Sequence, residues 1–342
     1  MAPCGIPRID DLHSGAVSAS PIGPGDPDTN SVGLLQQMLA GQGQAGLPNL
    51  LSPDYGVFGQ RTAVAVQSFR AQQGLPAADH IDAPCLQALV QAAAPAAVAS
   101  RGYMTLVLDC SYSGLAKILS VVAQMEGAGK FGALNLNTDK AGLSFGLIQW
   151  AQKPGRLTEI LQAFSTARPA DFTNILGGGD AHVAAQLIAH TQLPNGGIDP
   201  ATGQTTDTLF DLVSEPWVSR FRQAAQFKAF QQVQVQTAVN DFAASLSQMQ
   251  QYVPQLTSER AVGFMLDLAN QFGDGGARRI FQAVVQPGMA LGDLLQGMAD
   301  ESVSRIQDPF KAGTQARRQH FITTTFLSDE PFTNSSSQPV AA

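Results

Sequence analysis

The chain has 342 residues, of which 44% are hydrophobic and 14% are charged, and its formal net charge is −7. This composition is typical of a globular protein rather than a disordered one, and the length favours two domains or a small module joined to a larger domain. The acidic excess opposes nucleic-acid binding, which needs a basic face, and no apolar stretch of about 18 residues predicts a membrane span.

Residues 1–29 are rich in Gly, Pro, Ser and Asp without periodicity, which predicts a flexible tail. They lack the basic region and apolar core of a signal peptide. The three cysteines, Cys4, Cys85 and Cys110, are widely spaced and contain no CxxC pair, so neither a disulfide framework nor a zinc site is expected. The five histidines show no metal-ligand spacing, and we expect no metal and no cofactor.

Residues 30–93 have the apolar periodicity of three short helices around one small core, interrupted by a turn with Gly56 and Gly59. The elements Val32–Leu39, Gly56–Gly59 and Thr62–Phe69 resemble the peptidoglycan-binding type 1 module, whose pattern is V..LQ..L, D-G-x-F-G and T..AV..FQ. The resemblance implies cell-wall binding. A docking or spacer role stays open, because most of these positions serve the core and the turns of any such module.

An alanine-rich linker is predicted at 94–104, and the segment SGLAKILSVVAQM that follows it predicts a helix. Glu126 comes at the end of this helix, with Gly127 available for a left-handed cap. Apolar neighbours and the negative end of the helix dipole both disfavour the ionised carboxylate. A general acid that works near neutral pH requires this condition, so Glu126 is the first candidate catalytic residue.

The next segment, FGALNLNTDKAGLSFGLIQW, alternates apolar and polar residues on either side of residues 137–142, which predicts a β-hairpin. Asp139 falls near the tip. A second carboxylate opposite Glu126 would complete the acid–base pair of a glycosidase, although Asp is also common in turns.

The region from Lys117 to Phe164 resembles the active-site region of the lysozyme-like superfamily, most closely the family 46 chitosanases. In that family a helix ends on the acid Glu, and a hairpin carries an Asp that activates water held by a Thr. The resemblance implies Glu126 as acid, Asp139 as base and Ser144 as the residue that positions water. The string SFGLIQW also resembles the G-L-M-Q signature of lytic transglycosylases and goose-type lysozymes, which implies substrate contacts for Gln149 and Trp150.

Two long helices are predicted at 216–246 and 258–285, and a helix with paired arginines follows near the end of the chain. In the chitosanases the second long helix carries a tyrosine–aspartate pair, and an arginine of a terminal helix pairs with the acid Glu, a place that Arg317 or Arg318 would take. The resemblance therefore implies that Asp267, Arg317 and Arg318 belong to the substrate-binding region. A solvated basic helix face is the alternative for the two arginines.

Together these patterns predict a mainly α protein: a small three-helix module, then a larger α+β lysozyme-like domain over 105–328 with a small β-hairpin, and a disordered tail over 329–342. The expected function is hydrolysis of peptidoglycan as a muramidase. A chitosanase and a non-catalytic cell-wall-binding protein are the alternatives. We expect synthesis in the bacterial cytoplasm and action in the periplasm or the external wall after non-classical export, on peptidoglycan or another aminosugar polymer; an immunity or secretion partner stays open.

Overall fold

The structure, a computed structural model, describes residues 7–16, 19–48, 54, 56–93, 113–127, 129–253, 256–324 and 326–334. The linker predicted at 94–104 lies outside the described residues, as do Cys4 and Cys110. The described chain is mainly helical with one small antiparallel sheet, which confirms the predicted fold class.

Among the described residues, the N-terminal part contains four helices: α1 (Pro7–Ser14), α2 (Thr29–Gly41), α3 (Gln60–Gln72) and α4 (Ala83–Ala93). The last three lie where the periodicity predicts them. Gln36 of α2 is buried and fixes the turn before α3: its Nε2 donates to Val57 O and to Thr62 Oγ1, and its Oε1 accepts from Gly56 N. Gly56 has φ +79°, and an added Cβ would lie 2.7 Å from Thr29 O, so both backbone conformation and space require glycine there.

The predicted tail over 1–29 is wrong for its described part. Helix α1 packs against α4 and buries Ile9 and Leu12, and Ile22 forms a β-bridge with Ile81. These three apolar side chains supply the physical reason, because their burial offsets the entropic cost of ordering a Gly- and Pro-rich segment.

The larger part begins with α5 (Gly114–Gly127) and an antiparallel sheet of β1 (Leu134–Leu136), β2 (Leu143–Phe145) and β3 (Trp150–Ala151), in the order β1-β2-β3. The predicted hairpin is confirmed, with Leu134 opposite Phe145. The third strand was not predicted. Eight α-helices follow in the part of the chain that the structure describes: α6 (Arg156–Ala167), α7 (Pro169–Ile175), α8 (Ala181–Thr191), α9 (Trp217–Gln226), α10 (Lys228–Gln250), α11 (Glu259–Val284), α12 (Leu291–Ser304) and α13 (Lys311–Thr323).

Helix α11 packs against α5, α10, α12 and α13, and therefore joins the segments that carry the candidate site residues. Its helical conformation is interrupted at Gly273, which has φ +70°. The helix predicted at 216–246 is instead two helices, because Phe227 between α9 and α10 adopts an extended conformation.

The predicted tail over 329–342 is also wrong where it is described. Pro331 forms a β-bridge with Ser258, and Asp329 accepts a hydrogen bond from Arg260. Residues 335–342 lie outside the described part. None of the described helices is both long and apolar enough to cross a membrane.

Candidate active site

The end of helix α5 sets the position of Glu126. The helix runs through Gly127, and Gly129, rather than the expected Gly127, adopts the left-handed conformation, with φ +68°. Gly129 N donates to Ala123 O, six residues earlier in the chain, at 2.8 Å, and this bond closes the end of the helix. The carboxylate therefore lies in the last turn, where no backbone donor of its own helix is available to it.

Glu126 is held through one oxygen only. Its Oε1 accepts from Arg317 Nη2 at 2.5 Å and from Asn270 Nδ2 at 2.9 Å, whereas its Oε2 accepts no hydrogen bond from the described residues. The side chain is 15% exposed, so it is shielded but not sealed. One oxygen is thus fixed by two donors, and the other has no hydrogen-bond partner among the described residues.

Behind Glu126 lies a buried charge cluster in which Asp267 joins two arginines. Arg317 donates from Nε to both oxygens of Asp267 and from Nη2 to Oδ1, at 2.6 to 3.0 Å, and Arg318 donates from Nη1 to Oδ2. The side chains of Asp267 and Arg318 are 0% exposed, and that of Arg317 is 9% exposed. Arg318 also donates to Gln271 Oε1 and to Ser302 Oγ.

Two carboxylates and two guanidinium groups balance within this cluster. Burial lowers the pKa of Arg317, but Asp267 and Glu126 together outweigh it and the net shift is upward. For Arg318 burial prevails over Asp267, and its pKa is lowered. Both guanidinium groups remain charged, because no accessible pH deprotonates arginine in a protein. The cluster fixes Arg317 at Glu126 from behind.

Asn270 connects Glu126 to a second polar group on the other side. Its Oδ1 accepts from Arg156 Nη1 at 3.1 Å, and Arg156 Nη2 donates to Asp241 Oδ2 at 3.2 Å. Trp150 Nε1 also donates to Asp241 Oδ2, at 3.4 Å. These hydrogen bonds form one chain from the Glu126 carboxylate through side chains of four elements, α11, α6, α10 and β3.

Arg156, Asp241 and Asn270 line a cavity of about 260 Å³ between α6, α10 and α11. Its charged lining consists of Arg156 and three carboxylates, Glu159, Asp241 and Asp274. Burial and the nearby Asp241 raise the pKa of Glu159. Asn270 lines the cavity and donates to Glu126, so it separates the cavity from the carboxylate by one side chain.

Asp139 lies in the exposed connection between β1 and β2, where its Oδ1 accepts from Ala141 N at 3.2 Å. Asn137 fixes this connection with two hydrogen bonds. Its Oδ1 accepts from Gly142 N within the connection, and its Nδ2 donates to Gly203 O in a distant loop. Asp139 thus combines a solvent-accessible carboxylate with a fixed turn.

Ser144, Gln149 and Trp150 lie on the strands and in the turn that follow. Ser144 is at the centre of β2, opposite Asn135 and Ala151, and is 4% exposed. Gln149 has φ +55°, and its Nε2 donates to Ala133 O and Gly146 O, so it fixes the turn between β2 and β3.

Burial corrects part of the expected substrate-binding set. Asp267, Arg318 and Trp150 have no exposed surface, so a glycan cannot touch them in this conformation. They support the site instead: the first two through the charge cluster, and Trp150 through Asp241. The alternative of a solvated face for the two arginines is wrong as well, since Arg317 and Arg318 point into the protein.

Sequence reasoning missed Asn270, Arg156 and Asp241. Asn270 lies three residues after Asp267, and this spacing places both side chains on one helix face. That spacing was the available signal. Arg156 and Asp241 belong to helices that are distant in sequence, and no spacing connects them.

No family model matches this chain. No curated protein matches it either. Among solved structures, it is similar to a mutant chitosanase from Bacillus subtilis MY002 complexed with 6 GlcN. The identity is 16%, the match covers 62% of this chain and 83% of that chain, and the TM-score is 0.39. A likeness this distant decides neither substrate nor mechanism.

Proposed function

We propose that this protein is a glycoside hydrolase that cleaves a β-1,4-linked aminosugar polymer, with Glu126 as the general acid. The observation that carries the proposal is the one-sided environment of the Glu126 carboxylate, with two donors on Oε1 and none on Oε2. A glycosidic oxygen can then receive a proton from Oε2 while Oε1 stays fixed. Arg317 directs three of its four hydrogen bonds to Asp267 and one to Glu126, so Asp267 fixes the guanidinium that orients the Glu126 carboxylate.

Asp139 is proposed as the general base, with Ser144 positioning the attacking water. The exposed carboxylate of Asp139 and its fixed turn support this role. In an inverting mechanism the two carboxyl groups lie roughly 6.5–9.5 Å apart, with a water molecule between them. NMR of the first-formed product anomer tests this assignment, and retention of configuration would contradict it.

Peptidoglycan is the proposed substrate. The three helices α2–α4 support it through their resemblance to wall-binding modules, because a tethered binder raises the local concentration of its polymer. On this proposal the protein acts at the bacterial cell wall, in the periplasm or outside the cell.

Chitosan is the second candidate, and the cavity beside Asn270 favours it. Three carboxylates against one guanidinium give this cavity a formal charge of −2 (Glu159, Asp241 and Asp274 against Arg156). A polycationic glucosamine chain is attracted to such a surface.

Zymograms on peptidoglycan and on chitosan test the function, with Glu126→Gln as the inactive variant. The glutamine amide oxygen can accept from both Arg317 and Asn270, so this variant should fold. Glu301→Gln is the matched control, because Glu301 lies in an exposed ion pair with Arg305. We expect clearing that Glu126→Gln abolishes and Glu301→Gln preserves.

Clearing that survives Glu126→Gln would refute the mechanism. No clearing on either polymer, combined with binding to purified cell walls, would identify a non-catalytic wall-binding protein. The mass of the released fragments separates hydrolysis from lytic transglycosylation, because anhydro ends lack one water.

A further inference from the structure

We infer that Asn270, oriented by Arg156, is a positioning residue that determines which oxygen of Glu126 carries the acid proton. The inference rests on the proposed function and adds to it: Arg156 and Asn270 make Oε1 the hydrogen-bond acceptor and leave Oε2 as the proton donor.

The guanidinium of Arg156 has five donors and no acceptor. The atom of Asn270 that faces it must therefore be the amide oxygen, and Nη1 to Oδ1 measures 3.1 Å. Asp241 holds the guanidinium from its other nitrogen. The amide of Asn270 consequently cannot turn over without placing an NH₂ group against a cation.

With the amide oxygen fixed, the amide nitrogen must face the other way. Asn270 Nδ2 donates to Glu126 Oε1 at 2.9 Å and to Ile148 O at 3.4 Å. Arg317 is also a pure donor and approaches the same Oε1. A proton on Oε1 would face two N–H groups, whereas a proton on Oε2 meets neither of them.

The proton transfer then has one direction. The O–H bond at Oε2 breaks and its proton forms a bond to the glycosidic oxygen, while the electron pair of the broken anomeric C–O bond stays on that oxygen. Glu126 becomes a carboxylate, and water adds to the anomeric carbon and gives its proton to Asp139. The amide of Asn270 is engaged by Arg156 and Glu126 and transfers no proton in this step, so its role is positioning.

Infrared difference spectroscopy of protonated Glu126 tests the inference without any turnover, with Glu126→Gln used to assign the band. In the unsubstituted 342-residue chain the carbonyl oxygen of protonated Glu126 is then Oε1, which accepts two hydrogen bonds. We expect Asn270→Leu to raise the C=O stretching frequency, because one of those bonds is lost. Arg156→Met should shift the band in the same direction, since it frees the amide to turn. Arg168→Met, in an exposed pair with Asp171, is the matched control and should leave the band unchanged.

Kinetics provide the second measurement. For Asn270→Leu we expect kcat to fall about tenfold to a hundredfold with KM unchanged, because only the orientation of the acid is disturbed. The loss should shrink on an aryl glycoside whose leaving group needs no protonation.

The outcomes separate the two proposals. A frequency shift in a protein without glycosidase activity supports the positioning role and refutes the proposed function. Hydrolysis by the wild type with an unshifted band in both variants overturns the positioning role and leaves the function intact.

Discussion

Asp267 provides the sharpest test of the charge cluster behind Glu126. The substitution Asp267→Asn keeps the shape of the side chain and removes its charge. It leaves Arg317 and Arg318, which are 9% and 0% exposed, with only Glu126 to balance them. The new amide group also places an NH₂ group against one of the two guanidinium groups, neither of which has an acceptor.

The magnitude follows from burial. Removal of one partner from a buried ion pair costs about 3–5 kcal/mol, because the remaining charge stays desolvated without compensation. For a domain the size of the larger part, each kcal/mol of lost unfolding free energy lowers Tm by about 2–4 °C. Tm should therefore fall by roughly 6–20 °C. The same loss is expected as a lower free energy of unfolding in urea.

Tryptophan fluorescence during urea unfolding reports selectively on the unfolding of the larger part of the chain. Both tryptophans of the chain, Trp150 and Trp217, are buried in the larger part. Asp329→Asn is the matched control: Asp329 pairs with Arg260 at 2.7 Å but is 74% exposed, so its loss should cost about 0–1 kcal/mol. A loss below about 1 kcal/mol for Asp267→Asn would refute the reasoning, because the cluster would then not depend on its central carboxylate.

Three further predictions concern other parts of the chain. Burial, opposed by Asp267, lowers the pKa of His320 to about 4. The unfolded chain therefore binds a proton at this histidine at higher pH than the folded chain does. The free energy of unfolding should fall by up to about 3 kcal/mol as the pH is lowered from 6.5 to about 4. In urea titrations, His320→Gln should flatten this pH dependence. Gly146→Ala should lower the free energy of unfolding by about 1–3 kcal/mol in the fluorescence assay, because φ is +82° and an added Cβ would lie 2.5 Å from Gln234 Oε1. An unchanged urea midpoint would contradict this packing. Gln36→Leu leaves the polar groups of the turn before α3 unpaired and should lower the free energy of unfolding by about 1–3 kcal/mol. Calorimetry measures this loss, and unchanged stability would show that the turn does not depend on Gln36.

The helices could be predicted because their apolar residues repeat with a period close to one turn. This holds for α2, α5 and α11, whose apolar residues face a core. The hairpin was predictable for the same kind of reason, since alternation and a polar turn specify it locally. The position of Glu126 at the end of α5 followed from the same pattern.

Where sequence reasoning failed, a contact distant in sequence decided the structure. Helix α1 depends on α4, and the segment after residue 328 depends on the start of α11. The surroundings of Glu126 fall in the same class: Asn270 is 144 residues away and Arg317 is 191 residues away. A lone Arg or Asn in a helix pattern carries no information about such a partner.

The amino-acid sequence by itself determined the fold class, most helices, the hairpin and the candidate acid at a helix end, because each follows from interactions between residues close along the chain. Only the tertiary structure decided that Asp267 and Arg318 are sealed supports, that Oε1 of Glu126 is occupied, and that Asn270 and Arg156 take part. The physical reason is that hydrogen bonds and ion pairs between helices depend on how those helices pack, and periodicity records which face is buried but not which side chain it meets.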